Sequence, residues 1–353
     1  MNKILIVNPF GIGDVLFTTP LVAALKKAVP EAAIAYIGNA RTVPFLKNDP
    51  ALYKVFSYER DEFVAVYKRA PFAFLKKWRA FVEEIRAEKF DTAFDLSLGS
   101  PLGLALAWAD IPDRIGYDYR GRGRWLTKRL PLKGYEGRHV AEYYLDLLAC
   151  VGLMRPADPR MAIVTSSSDD AWAEAFMKAQ GLKEQAFIVM YPGGGASWGK
   201  GAGLKRWPAG NFAQIADKMI EKAGCPIILM GDQSETALCE DIAAQMRGKP
   251  VIAAGQTTIT AAAALMKRSR LVIANDGGPL HVAVAAGAKT LSIFGPVDPD
   301  VYGPFPKDGH VVVVKRLPCR PCYRNFRMSD CTHASCLKEL TVKDVFEQIM
   351  EKL

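Results

Sequence analysis

Apolar residues follow two rhythms along this chain. Short runs in which nearly every position is apolar, at Lys3–Asn8 (KILIVN), Ile34–Ile37 and Thr92–Leu96 (TAFDL), predict strands buried on both faces of a parallel sheet. Between them, apolar residues fall near helical spacing at Val15–Lys27 and Val140–Val151. Lys26 and Lys27 close the first of these helices, where cations suit the helix dipole. The rhythm restarts after residue 165. Thr165–Asp170 (TSSSDD) ends in good N-cap residues. Helices are predicted over Ala171–Gln180, Asn211–Lys222, Glu235–Met246, Ile259–Lys267 and Pro279–Ala286. They alternate with strands Phe187–Tyr191, Ile227–Met230, Val251–Ala253, Leu271–Ala274 and Thr290–Phe294. The alternation predicts an α/β fold with parallel sheets. Two runs of similar size predict two Rossmann-like domains, 1–168 and 169–340, facing each other across a cleft. A terminal amphipathic helix over 341–353 is expected to pack back on the first domain.

Composition narrows the class. The chain has 353 residues, half of them apolar, enough for two cores and incompatible with a disordered chain. Its longest apolar runs, Pro101–Trp108 and Ile259–Met266, fall short of the ~18 residues of a membrane span. The N-terminus lacks the pattern of a signal peptide, so a cytoplasmic, soluble protein is expected. Lys and Arg number 46 against 37 Asp and Glu, which asks for an anionic partner: nucleic acid, a phosphorylated small molecule or a membrane surface.

Three loops carry candidate chemistry. Gly11-Ile12-Gly13-Asp14 follows the first strand, but Leu16 occupies the third glycine position of a dinucleotide fingerprint, which argues against NAD. Asp14 reads either as the N-cap of helix Val15–Lys27 or as a reactive carboxylate at the carboxyl end of a strand. Asn275-Asp276-Gly277-Gly278-Pro279-Leu280-His281 follows an apolar strand and opens a helix. Pro279 suits the first helical position, and the glycines let an anion approach the backbone and the positive dipole end. His281 could reach the same anion, or be a satisfied core histidine. Tyr191–Pro208 offers six glycines with Ser197, Lys200, Lys205 and Arg206, suited to a diphosphate or to a plain flexible loop; it contains no P-loop. Glu235, after a further strand, would accept from ribose hydroxyls or simply start a helix.

The cysteines and the basic segments complete the inventory. Cys319, Cys322, Cys331 and Cys336 are spaced C-x2-C-x8-C-x4-C with His333 among them. That spacing admits a structural zinc, a disulfide or inert thiols. Cys150, Cys225 and Cys239 are isolated and expected to be buried. Arg114, Arg120, Arg122, Arg124, Lys128, Arg129, Lys133 and Arg138 face only Asp118 and Glu136 within 114–138. Tyr67–Arg79 adds five cations with Phe72, Phe74 and Trp78 and no acid. Either both are solvated basic faces, or they hold phosphates, acidic sugars and the anionic inner leaflet. No RRM, KH or zinc-finger pattern supports a nucleic-acid partner.

As a set, GIGDVLFTTPLVAALK, KRWPAGNFAQIA, NDGGPLHVAVAAGAKTLSIFGPVDP and CRPCYRNF resemble the glycosyltransferase family 9 heptosyltransferases, nearly end to end and in family order. The resemblance implies a GT-B fold with an N-terminal acceptor domain and a C-terminal donor domain. It implies inverting transfer of heptose from ADP-heptose to a Kdo or heptose residue of a lipid-A-linked core. Asp14 would be the general base, with Gly13 beside the acceptor and Arg120, Arg122 and Arg124 on its phosphates. Lys205 would pair with the donor diphosphate, joined by Ser197. Asp276, Gly277, Gly278 and His281 would line the ADP site, and Glu235 would hold the ribose. No metal or other cofactor is required by this chemistry, because a helix N-terminus and a lysine neutralise the leaving charge. Two departures stand out. Gly277 replaces the usual Thr of the family motif, and Gly-Lys-Gly-Ala-Gly lengthens the loop before Lys205, so Lys200 competes for the phosphate role. Another nucleotide sugar, a polypeptide acceptor, or nucleotide-sugar binding without turnover remain alternatives.

Overall fold

The computed structural model describes residues 1–352; Leu353 and the side chains of Ala196, Ser197, Lys200 and Lys352 lie outside the described residues. The chain divides into two compact units, Met1–Arg160 and Met161–Leu353, eight residues before the boundary expected at 168.

The first unit holds a six-stranded parallel sheet. Its strands are β1 (Lys3–Val7), β2 (Ala33–Gly38), β3 (Leu52–Ser57), β4 (Thr92–Asp95), β5 (Asp113–Tyr119) and β6 (Lys128–Leu132), in the order β3-β2-β1-β4-β5-β6. The order reverses between β1 and β4, where Val7 lies beside Asp95. Strands β3, β5 and β6 were not legible as apolar runs. They lie outward from the centre of the sheet and carry Lys54, Arg114 and Lys128, which break the apolar pattern. Helix Pro71–Ala87 buries Trp78, Phe81, Val82 and Ile85 against this sheet's core.

The helix expected over Val15–Lys27 is two: Ile12–Leu16 and Thr19–Ala28. Pro20 has no N–H to donate to the Leu16 carbonyl, so the helix cannot run through. The Thr19 hydroxyl donates to that carbonyl instead, at 2.8 Å. Asp14 is therefore not the N-cap; Gly11 is, and Asp14 sits in the first turn of the short helix.

The second unit repeats the architecture with β7 (Ile188–Tyr191), β8 (Ile227–Leu229), β9 (Val251–Ile252), β10 (Leu271–Asn275), β11 (Thr290–Phe294) and β12 (His310–Val314). Their order, β12-β11-β10-β7-β8-β9, reverses between β7 and β10, and all pairs are parallel. A capping box opens helix Ser167–Ala179, with Ser166 and Asp169 satisfying each other's backbone amides. The terminal helix Val342–Lys352 is part of the second unit. Its buried face, Val345 and Ile349, belongs to the second unit's core with Phe212, Met219 and Leu340. No helix among the described residues is long and apolar enough to cross a membrane.

Candidate active site

In open α/β sheets, ligands bind beyond the carboxyl ends of the strands where the order reverses. In the second unit this places the loops after β7 and β10 side by side. Asn275, the last residue of β10, stitches them together. Its Nδ2 donates to the Pro192 carbonyl at 2.7 Å and the Gly193 carbonyl at 3.2 Å, while its Oδ1 accepts from the Trp207 amide at 3.1 Å. Sequence reading gave Asn275 no role, because a strand-end amide has no signal beyond its neighbours.

Glu235 is the second brace. It is buried, and its carboxylate accepts from the Gly194 amide at 2.6 Å and the Asp232 amide at 3.1 Å. Arg206 lies 3.4 Å from the same carboxylate and donates to the Gly194 carbonyl at 3.0 Å. Gly193 must be glycine here: a Cβ would sit 2.0 Å from Glu235 Oε1. Gly195, at φ +76°, turns the chain in the left-handed region that glycine tolerates. Glu235 also starts helix Thr236–Gln245, the alternative its position in the sequence offered, while shaping the glycine loop.

Lys205 and Asp276 meet at the centre. Lys205 Nζ lies 2.6 Å from Asp276 Oδ2 and 4.5 Å from the centre of the Trp198 ring, and both partners are buried. The contact is ionic rather than a well-aligned hydrogen bond, and among the described residues Asp276 Oδ2 receives no other donor. Gly277 packs against Gly194 and Gly195: a Cβ on it would stand 3.5 Å from the Gly195 amide nitrogen. Gly277 is the N-cap of helix Gly278–Ala285 and supplies no side-chain cap, so no cap side chain occupies the first-turn amides. Pro279 falls one position later than expected, at the second helical residue. His281 is fully buried. Burial, reinforced by the positive charge of Lys205, pushes its pKa down to about 3, so the ring is neutral at pH 7. It adds no positive charge toward an anion. Ser197 and Lys200 fall outside the described side chains.

The first unit's switch point carries Asp14. Its backbone carbonyl is held by Asn8 Nδ2 at 3.0 Å and by the Thr18 hydroxyl at 3.1 Å, and Thr18 in turn accepts from the Tyr36 hydroxyl at 3.0 Å. The phenols of Tyr36, Tyr135 and Tyr144 are pushed up, mainly by burial and also by the charge of Asp14. The three phenols are therefore neutral at pH 7. Asp95, at the end of the adjacent β4, was read only as a strand residue. It is buried, accepts from the Ser97 amide at 2.9 Å, and is pushed up to about 6 by burial.

The basic stretch 114–138 divides by function. Arg114 donates to the Trp125 carbonyl at 2.7 Å, Lys128 pairs with Asp113 at 3.2 Å, Arg129 lies 3.8 Å from Asp118, and Arg138 pairs with Asp146. Arg120, Arg122 and Arg124 are exposed in the β5–β6 connection, and no carboxylate pairs with them among the described residues. They lie over aromatic rings instead, Arg120 at 4.9 Å and Arg122 at 5.8 Å from Tyr119, and Arg124 at 5.2 Å from Trp125.

Among the described residues no three His, Cys, Asp or Glu side chains gather as metal ligands, those of Cys319, Cys322, Cys331 and Cys336 included. The described cysteines are free thiols, and Cys150 is half-buried rather than buried. Burial pushes the Cys322 and Cys336 thiols up. This segment clamps the turn after β11. Arg320 donates to the carbonyls of Gly295, of Val297 at 3.2 Å and of Lys315 at 3.3 Å, and the Cys322 amide donates to the Pro296 carbonyl at 2.9 Å.

A family model described as glycosyltransferase family 9 (heptosyltransferase) matches residues 78–333. Lipopolysaccharide heptosyltransferase 3 of Escherichia coli K12 is 24% identical over 301 residues, covering 83% of this chain and 82% of the relative. Among solved structures, the E. coli ADP-heptose lps heptosyltransferase II superposes with a TM-score of 0.77 at 21% identity, over 99% of this chain and 98% of that one. The E. coli heptosyltransferase WaaC, solved with ADP-2-deoxy-2-fluoro heptose, gives 0.74 at 18% identity, over 99% and 100%. At these identities the likeness shows the fold, the GT-B type with two Rossmann-like units.

Proposed function

Because this chain belongs to glycosyltransferase family 9, the heptosyltransferases, and is a glycosyltransferase, we propose that it moves heptose from ADP-heptose to the inner core of lipopolysaccharide. The observation that supports this best is the convergence of two glycine loops on the buried Lys205–Asp276 pair at the second unit's switch point. In this reading the donor diphosphate takes the Lys205 ammonium and the first-turn amides of helix Gly278–Ala285. These donors stabilise the charge that builds as the sugar–phosphate bond breaks, and no metal is needed for that task. The backbone amides beside Gly277 replace the hydrogen bond that a Thr would give. Glu235 positions the glycine loop, and His281 acts as a neutral partner at the helix start.

Asp14 is the general base. It takes the acceptor hydroxyl proton as oxygen attacks the anomeric carbon from the side opposite the diphosphate, which inverts the configuration. Arg120, Arg122 and Arg124 receive acceptor phosphates, next to Gly13 and its loop. The acceptor is a Kdo or heptose residue on lipid A, so the enzyme works at the cytoplasmic face of the inner membrane.

The test is a nucleotide screen followed by one variant. ADP at about a hundredfold over its Kd should raise the thermal midpoint by about 5 °C or more, with UDP and GDP inert. Stabilisation by UDP alone would overturn the donor assignment. Asp14→Asn should keep the ADP shift and lose transfer by at least about a hundredfold. A variant with full activity removes Asp14 from the mechanism.

A further inference from the structure

Helices Arg60–Arg69 and Pro71–Ala87 form a hairpin that turns at Ala70. Its inner face is ordinary core: Phe63 packs edge-on to Trp78 with centroids 5.8 Å apart, and Phe81, Val82 and Ile85 follow at helical spacing. The outer face breaks the usual rule. Phe72, Leu75, Lys76 and Arg79 make one stripe of the second helix, and Val64, Tyr67 and Lys68 one of the first. Phe72 is 88% exposed, Tyr67 58%, Leu75 55% and Val64 40%. These are four of the nine large apolar side chains exposed among the described residues, and they fall within twelve positions. Scattered singly they would mean nothing; gathered at one tip they mark a contact surface.

Charge says what the tip contacts. Between residues 63 and 82 there are five cations and no acid. Lys77 turns back to Glu62 and lies 4.8 Å from the Phe63 ring centre. Lys68, Arg69, Lys76 and Arg79 have no carboxylate partner among the described residues. The acids lie at the other end of the hairpin, Asp61 and Glu62 opening the first helix and Glu83 and Glu84 in the later turns of the second. The tip is thus apolar and basic, and the base of the hairpin is acidic. A second copy of the chain would bring two cationic tips together, which opposes pairing. A nucleic acid would use flat rings, yet half of the exposed apolar side chains are the aliphatic Val64 and Leu75. An anionic bilayer matches both features. Phe72, Leu75 and Tyr67 enter the headgroup layer, and the long cationic stems of Lys68 and Lys76 reach along it to lipid phosphates.

We infer that the tip of this hairpin, residues 64–79, is a docking surface for an anionic phospholipid bilayer. The inference deepens the functional reading, since a lipid-linked acceptor would be met at that surface, but it stands on different residues. The test is co-sedimentation of the full chain with vesicles of 70% phosphatidylethanolamine and 30% phosphatidylglycerol, against pure phosphatidylcholine. Wild type should bind the anionic vesicles only, and about tenfold more weakly in 0.5 M than in 0.1 M salt. The double variant Phe72→Asp with Leu75→Asp, and separately Lys68→Glu with Lys76→Glu, should lose binding by about tenfold or more while the thermal midpoint and the ADP shift stay unchanged. Transfer to a vesicle-embedded acceptor should fall with binding, and transfer to a water-soluble deacylated acceptor should not. Absent wild-type binding, salt-insensitive binding, variants that bind like wild type, equal loss on both acceptors, or a dimer that Phe72→Asp dissolves would each overturn the docking surface. Failure of wild type on both acceptors would sink the functional reading instead, and the vesicle data would still decide the surface.

Discussion

The two units share a sheet topology and treat charge in opposite ways. In the second, the charged groups of the candidate site are paired, with Lys205 and Asp276 both buried and the half-buried Arg206 against the buried Glu235. In the first, Arg120, Arg122 and Arg124 stand in solvent over aromatic rings. A buried pair costs desolvation when the protein folds and is then fixed in place for a compact diphosphate. An exposed triad costs little and adapts to a larger, variable polyanion. Under the proposed function, donor recognition would be built into the core and acceptor recognition laid on the surface.

The largest break of that contrast should come from Lys205→Ala. It leaves Asp276 buried without its counter-ion, which costs about 3–5 kcal/mol. The thermal midpoint should fall by several degrees, and ADP should restore little of it. A melt unchanged from wild type would mean that the pair is not part of the second unit's core. Lys205→Arg, with the charge kept, should recover part of the stability.

A second break is in pH. His281 is depressed to about 3 in the fold, so the unfolded chain binds the extra proton below pH 6.5. Its contribution to stability is complete above pH 6.5 and is lost as pH falls toward 3, by up to ~1.4 kcal/mol per pH unit. Asp95 has the opposite sign. Raised to about 6, it binds a proton in the fold that the unfolded chain releases near 3.8, so it costs stability as pH rises from about 4 to 6. Asp95→Asn should therefore stabilise the first unit at pH 8, by about 1–3 kcal/mol, and change little at pH 4. His281→Gln should flatten the acid limb of the second unit alone. Denaturant melts across pH 4–8 check both, and identical profiles in wild type and variants would remove these groups from the balance.

The smallest structural effect should come from neutralising Arg120, Arg122 and Arg124 to Gln. Exposed and unpaired with carboxylates, each should move stability by no more than ~0.5 kcal/mol. The triple variant should raise KM for a phosphorylated acceptor at low salt, with the difference shrinking as salt rises. If kcat falls and KM does not, the arginines act elsewhere than in acceptor capture.

How far each feature was legible follows from what it depends on. The inner strands β1, β7, β10 and β11 are buried on both faces, so their apolar runs announce them. The outer strands β3, β5 and β6 carry charges and are recognised by pairing with neighbours, which no local window contains. The loops were legible because glycine, proline and capping residues act locally: Ile259–Lys267 falls where its pattern places it. The break at Pro20 was equally local and was still missed, since the apolar rhythm continues across it. The cysteine spacing left zinc, a disulfide and inert thiols open, because spacing does not say whether four sulfurs point at one centre.

Local chemistry in the chain thus determined the α/β class, the two-unit plan and the glycine loops with Asp14, Lys205 and Asp276. Tertiary structure decided what those residues do. It buried His281 and made it neutral, set Glu235 at a helix start where it braces the glycine loop, and gave Asn275 its role in joining two loops. It also sorted the basic residues of 114–138 into braces and solvent-facing charges, and put Phe72 and Leu75 outside rather than in the core. The reason is the same in each case. Propensity and capping act over a few residues, whereas burial, ion pairing and proton affinity depend on neighbours that only the fold brings within reach.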